Sequence, residues 1–174
     1  MVRLFLEGHR DAGESLVDRY QKRLFTLALR MTGDVQDAED VTQTVFLNAF
    51  LKLRSYDARY KFFSWIYRMT VNESLNVLKR RKRSVTLEEE DEIPAPDASA
   101  DEGREAEAQD RVGKALQSLG PNDRAVVVLR HFLFFSYEQI ADVLEISVQT
   151  VKSRLYTARE RLRDMLREQV EEPC

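Results

Sequence analysis

The stretch Ser136 to Arg163, SYEQIADVLEISVQTVKSRLYTARERLR, decides the reading of this chain. Ser136 and Gln139 have the spacing of a capping box, in which each side chain satisfies the other residue's backbone N–H, so a helix opens here. Ile140, Ala141 and Leu144 form its inner face. The turn Glu145 to Ser147 is short, and a last helix follows from Val148 with Val151, Leu155 and Leu162 inward. Small Ala141 lets the two helices approach, and Ile146, Val148 and Val151 close the angle between them. Helix, tight turn, helix is the packing that holds a second helix clear of the surface for a DNA groove. That second helix presents Gln149, Thr150, Lys152, Ser153, Tyr156 and Thr157, with Arg154, Arg159 and Arg163 flanking. Amides, hydroxyls and an ammonium near the helix start reach base edges, while guanidiniums hold phosphates. A solvated amphipathic helix is the competing reading.

Upstream of this motif, Val112, Leu116 and Leu119 form an apolar stripe stopped by Gly120, and Pro121 fits the first turn of a helix through Val126 and Leu129. Further towards the start, Leu16, Tyr20, Leu24, Leu27, Ala28 and Met31 recur at steps of three and four, a helix ending at Gly33. Asp34 caps a second helix whose inner face is Ala38, Val41, Val45, Ala49 and Leu53. Arg54 to Lys61 reads as a loop. A third helix is predicted over Phe62 to Arg80, with Ile66, Met69, Leu75 and Leu78 as core positions. No strand signal competes, so the predicted fold class is all-α.

Between these halves lies SVTLEEEDEIPAPDASADEGREAEAQD, residues 84–110, with 11 acidic residues and one Arg. Few of its residues can build a core, so it reads as an acidic flexible linker, helical towards its end. The predicted organisation is an N-terminal domain over 1–83, the linker over 84–110, and a C-terminal domain over 111–174. The net charge of −3 conceals this division. Residues 1–83 hold 16 Lys and Arg against 10 Asp and Glu, and residues 111–174 hold 10 against 9. One acidic segment masks a basic N-terminal half.

Composition narrows the function classes. At 43% hydrophobic and 33% charged residues, with 6 Gly and 4 Pro, the chain is a helix-rich soluble protein. The apolar patch Leu4 to Leu6 is too brief for a signal-peptide core, and no run approaches a membrane span, so a cytoplasmic location is expected. The one cysteine, Cys174, has no Cys or His neighbours at metal spacing, and His9 and His131 lie far apart without a nucleophile motif. From these residues no metal, no cofactor and no catalytic group are expected. No phosphate-binding loop or activated nucleophile is present.

A second constellation is aromatic and basic: Tyr56, Tyr60, Phe62, Phe63, Trp65 and Tyr67, then Lys79, Arg80, Arg81, Lys82 and Arg83, with Arg68 between. Aromatic faces stack unpaired bases and cations hold the backbone of single-stranded DNA. Asn72 and Asn76 stand one turn apart with amides suited to a flipped base. Phe63 and Trp65 also suit core packing. A third feature is the outer face of the second helix, where Asp40, Gln43, Thr44, Leu47, Asn48 and Leu51 form a strip that suits a partner helix or coiled coil.

GDVQDAEDVTQTVFLNAFLKL (33–53), FFSWIYRMTVNESLNVLKRRKR (62–83) and LGPNDRAVVVLRHFLFFSYEQIADVLEISVQTVKSRLYTARERLR (119–163) together resemble the extracytoplasmic-function, group IV, sigma factors of the sigma-70 family. The resemblance covers nearly the whole chain except the linker. It implies sigma domain 2 followed by sigma domain 4, in a subunit that binds core RNA polymerase and directs promoter recognition, DNA melting and initiation. The strip on the second helix then docks on the coiled coil of the largest polymerase subunit through Asp40, Gln43, Leu47 and Asn48, with Thr44 standing where an acidic residue is frequent. The loop after it and the third helix then capture the unpaired minus-ten strand, with Asn72 matching a pocket residue. Lys152, Ser153, Tyr156 and Thr157 match positions that read the duplex minus-thirty-five element, Thr157 replacing a frequent basic residue. The acidic linker resembles a stand-in for nucleic acid in the RNA exit path, and a membrane-linked anti-sigma partner fits the family. No small-molecule substrate is implied. Two rivals remain at this level. One is a conventional helix-turn-helix regulator that dimerises through its N-terminal helices, and the other is a nucleic-acid-modifying enzyme, which would need a paired acid motif that the sequence lacks.

Overall fold

The computed structural model describes residues 10–53, 56, 61–85 and 103–171. Among these the chain forms helices α1 (Arg10–Thr32), α2 (Val35–Lys52), α3 (Phe62–Val85), α4 (Gly103–Ser118), α5 (Pro121–His131), α6 (Tyr137–Leu144) and α7 (Val148–Glu171). The described residues contain no strand. The expectations for Leu4 to Leu6, His9, Tyr60 and Cys174 lie outside the described residues, as does most of the loop Arg54 to Lys61.

Helices α1 to α3 form the N-terminal unit, with α1 packed on both others. Leu24, Leu27, Ala28 and Met31 of α1 meet Ala38, Val41 and Val45 of α2 and Ile66, Tyr67 and Val71 of α3, all buried. Each fully buried Leu here stabilises the fold by about 2 kcal/mol. Gly33 makes the corner at φ +75°, a left-handed conformation open to glycine, and its N–H returns to the Leu29 carbonyl at 2.8 Å. Asp34 then caps α2, its carboxylate accepting from the Asp37 N–H at 2.8 Å.

The buried face of α3 differs from the predicted one. Ile66 is buried as expected, but Met69, Leu75 and Leu78 are half-buried, and the core positions are Tyr67, Thr70, Val71, Ser74 and Val77. The hydroxyls of Thr70 and Ser74 bond back to the carbonyls of Ile66 (3.0 Å) and Thr70 (2.9 Å). Small residues satisfied within their own helix can therefore sit at a close helix contact, which a count of large apolar side chains does not register.

Helix α4 begins at Gly103, inside the stretch 84–110 read as linker and helical towards its end. Helices α4 to α7 form the C-terminal unit. In α5, six successive residues, Arg124 to Leu129, are buried. A helix apolar on all sides must be covered on all sides, and α5 is enclosed by α4, α6 and α7 on one side and by α1 of the N-terminal unit on the other. The two units thus share one continuous core, into which Phe135 also projects.

Candidate nucleic-acid and docking interfaces

The helix-turn-helix is built as its sequence predicts. The Ser136 hydroxyl accepts from the Gln139 N–H (3.2 Å) and the Gln139 side chain from the Ser136 N–H (2.8 Å), opening α6. The turn is made by Glu145 at φ +54°, and Ser147 caps α7 through the Thr150 N–H at 3.0 Å. Ile140, Val143, Val151, Leu155 and Ala158 are buried between the helices. On the outer face of α7, Gln149, Lys152, Ser153, Tyr156 and Thr157 are exposed together, Tyr156 by 69%. Arg154 is half-buried beside them. Thr150 is also half-buried, and its hydroxyl is engaged by Ser147 at 2.8 Å, a cap role. Arg159 leaves this face: its Nε donates to His131 Nε2 at 3.3 Å across to α5. Partial burial and the cations Arg159 and Arg130 hold the His131 pKa below the usual imidazole value, so the acceptor is neutral near pH 7.

Arg159 instead rims an apolar groove of about 680 Å³ between α4, α5 and α7, floored by Val112, Leu116, Val127, Phe132 and Leu162. Arg163 and Arg167 continue the rim. Sequence reading missed this groove, although the spacing of Leu162 and Leu166 to Arg159 and Arg163 on α7 signals it.

On α3, Trp65, Arg68, Asn72, Asn76 and Lys79 fall along one face at 100° per residue. The structure keeps Asn72, Asn76, Lys79 and Arg80 exposed. Glu73, not singled out in the sequence, organises two of them, accepting from Asn76 Nδ2 at 3.2 Å and Arg80 Nη2 at 3.1 Å. At the helix start Tyr56, Phe62 and Trp65 form an aromatic cluster, with ring centroids 5.2 to 5.8 Å apart. Phe63 is separate from it and packs on Tyr67 (4.9 Å). Two expected strand-binding residues are engaged elsewhere. Arg81 pairs with Asp37 (2.8 Å) and Asp34 (3.4 Å), tying α3 to the start of α2. Arg68 reaches the C-terminal unit, donating to the carbonyls of Asp142 (2.6 Å) and Val143 (3.2 Å) and pairing with Glu145 at 2.7 Å.

The outer strip of α2 is open, with Leu47 62% and Leu51 71% exposed beside exposed Asp40 and Gln43 and half-buried Thr44 and Asn48. Among the described residues no group of His, Cys, Asp and Glu could hold a metal ion, and no helix is long and apolar enough to cross a membrane.

Comparison with known proteins gives these surfaces a family. The profile of Sigma-70 region 2 matches residues 16–84, and that of Sigma-70, region 4, matches residues 109–162. The ECF RNA polymerase sigma factor SigW of Bacillus subtilis (strain 168) is 30% identical over 173 residues, covering 93% of this chain and 92% of the relative. The RNA polymerase sigma-H factor of Pseudomonas aeruginosa (strain PAO1) is 32% identical over 174 residues, covering 92% and 89%. Among solved structures, CnrH in complex with the cytosolic domain of CnrY shares the fold at TM-score 0.75 and 24% identity, covering 96% of this chain and 95% of that one. The sigma factor RpoE in complex with the anti-sigma factor NepR, from Bartonella quintana, matches at TM-score 0.68 and 26% identity, covering 88% and 96%. This chain belongs to the ECF RNA polymerase sigma factors.

Proposed function

We propose that this chain works as a dissociable, non-catalytic subunit of RNA polymerase in the cytoplasm, dividing promoter recognition between its two units. The α7 face with Gln149, Lys152, Ser153 and Tyr156 reads the duplex minus-thirty-five element. The aromatic cluster and the strip Asn72, Asn76, Lys79 and Arg80 hold the unpaired minus-ten strand. A base kept in a protein pocket cannot re-pair, so strand capture supports melting, while the chemistry of synthesis belongs to the polymerase. The strip Asp40, Gln43, Leu47 and Asn48 docks the subunit on core enzyme. The observation that carries this reading is the separate exposure of three surfaces of different chemistry on one chain: a hydrogen-bonding helix face, an aromatic and cationic helix face, and a strip with exposed leucines.

An inhibitory partner completes the reading. The groove floored by Leu116, Phe132 and Leu162 and rimmed by Arg159, Arg163 and Arg167 suits a helix with an apolar face and acidic flanks, the chemistry expected of an anti-sigma factor for this chain.

Footprinting tests the division of labour. With core polymerase present, protection over both promoter elements and reactivity of unpaired thymines at the downstream one are expected. A conventional regulator would instead protect an operator without polymerase, and that result would displace this reading.

A further inference from the structure

Helix α3 carries six Lys and Arg and a single acidic residue, Glu73. A carboxylate on a face that holds a polyanion works against binding, so its partners there carry its meaning. At 100° per residue Glu73, Asn76 and Arg80 fall within about 60° of one another, on the side of α3 assigned to the minus-ten strand. Glu73 Oε1 accepts from Arg80 Nη2 at 3.1 Å, and Oε2 accepts from Asn76 Nδ2 at 3.2 Å. The Glu73 side chain is 23% exposed and that of Arg80 64%. The carboxylate is thus largely covered, held by Arg80 on one side and holding Asn76 on the other.

That second bond decides which end of the Asn76 amide meets a base. The terminal torsion of an asparagine is broad and two-fold, so an isolated amide on an exposed face offers its NH2 or its carbonyl oxygen with little preference. A carboxylate only accepts, and so does an amide oxygen. Beside Glu73 the amide must therefore present its nitrogen, since turning it over would set two acceptors against each other. Asn76 is exposed, and its Oδ1 is left directed away from Glu73. Adenine N6 and cytosine N4 are amino donors at the place where guanine O6 and thymine O4 are carbonyl acceptors. An outward Oδ1 pairs with the first two and opposes the others.

We propose that Glu73 is a positioning residue for base selection. Braced by Arg80, it locks Asn76 with Oδ1 outward, so that the unpaired base resting against Asn76 is adenine or cytosine in preference to guanine or thymine. The inference rests on the reading of this face of α3 as the minus-ten strand surface. A carboxylate that did no more than stabilise α3 would act on all templates alike and leave base choice untouched.

Competition binding tests it, with the full chain on core polymerase and promoter DNA whose minus-ten non-template bases are unpaired and varied one position at a time. At one position the parent is expected to favour adenine and cytosine over guanine and thymine by at least about fivefold, the scale of one base-edge contact. Asn76→Ala and Glu73→Gln should each bring that preference below about twofold, and the two changes together should do no more than either alone, as residues acting through one contact do. The amide introduced by Glu73→Gln can donate as well as accept, so both orientations of Asn76 become available. Helical circular dichroism of both variants is expected to match the parent's. Should Glu73→Gln lose helix, a base exchange in the parent decides. Purine in place of a favoured adenine, or uracil in place of a favoured cytosine, removes the amino group and should cost at least about fivefold in the parent and less than about twofold in Asn76→Ala. A base profile that changes with Asn76→Ala but not with folded Glu73→Gln would overturn the positioning role and leave the strand-surface reading standing. Preference for guanine or thymine at the position that depends on Asn76 would overturn the orientation. Base choice that responds to Asn76→Ala at no position would refute the strand-surface reading at this residue, and the proposal with it.

Discussion

The Tyr67 hydroxyl is fully buried and finds no hydrogen-bond partner among the described residues. Burial pushes its pKa up to about 12, opposed by the nearby Arg23 cation and reinforced by Tyr20. An orphaned buried hydroxyl costs about 1 to 3 kcal/mol, so Tyr67→Phe is expected to stabilise the fold by about 1 kcal/mol in chemical denaturation. A linked pH effect follows. Above pH 10 the unfolded chain loses this proton and the folded chain keeps it, so stability should fall as pH rises from about 10 towards 12. Tyr67→Phe should remove that part of the alkaline loss, and an unchanged profile would mean that another group causes it. Gly33 makes a second residue-scale case. A Cβ there would stand 2.8 Å from Gln117 Cδ, at a φ of +75° that L side chains rarely adopt. Gly33→Ala should cost about 1 to 2 kcal/mol from the left-handed conformation alone, read as a lower denaturation midpoint. Gln117 belongs to the opposite unit, so the same change should also loosen the interface.

At the scale of elements, local signals carried most of the helices. The stripes of α1 and α2, the Asp34 cap and the Ser136 capping box are short-range patterns, and the structure places each as its residues predict. The inner face of α3 escaped because Thr70 and Ser74 hide their polarity by bonding within the helix. The packing of the two units was present in the sequence as the run Ala125 to Leu129, apolar around the whole helix, which announces a second covering surface. The roles of Arg68 and Arg81 were not legible, since helical periodicity gives a residue's face and leaves the neighbour docked there unspecified. Two substitutions test the assigned faces. Arg154→Ala on α7 should lower the slope of log affinity against log salt by about 0.9, one phosphate's share, for minus-thirty-five DNA bound by the holoenzyme. An unchanged slope would reassign Arg154 to packing. Gln43→Ala with Leu47→Ala on α2 should weaken core-polymerase binding at least about tenfold with the thermal midpoint unchanged, because an interface anchor is removed from an exposed face. Retention of core enzyme in a pull-down at normal levels would move the docking surface elsewhere.

At the scale of the whole molecule, charge and connectivity work together. A basic N-terminal half, an acidic stretch between the units and a nearly neutral C-terminal part sum to −3, a value that by itself conceals a nucleic-acid-binding protein. The three assigned surfaces belong to different helices, yet α3 and the helix-turn-helix touch through Arg68. The central claim is that the chain gives core polymerase a promoter preference it otherwise lacks, and run-off transcription on a library of promoter sequences with sigma-free core enzyme measures it most directly. The expected result is new initiation confined to templates sharing two spaced elements. No added initiation on any template would contradict the account.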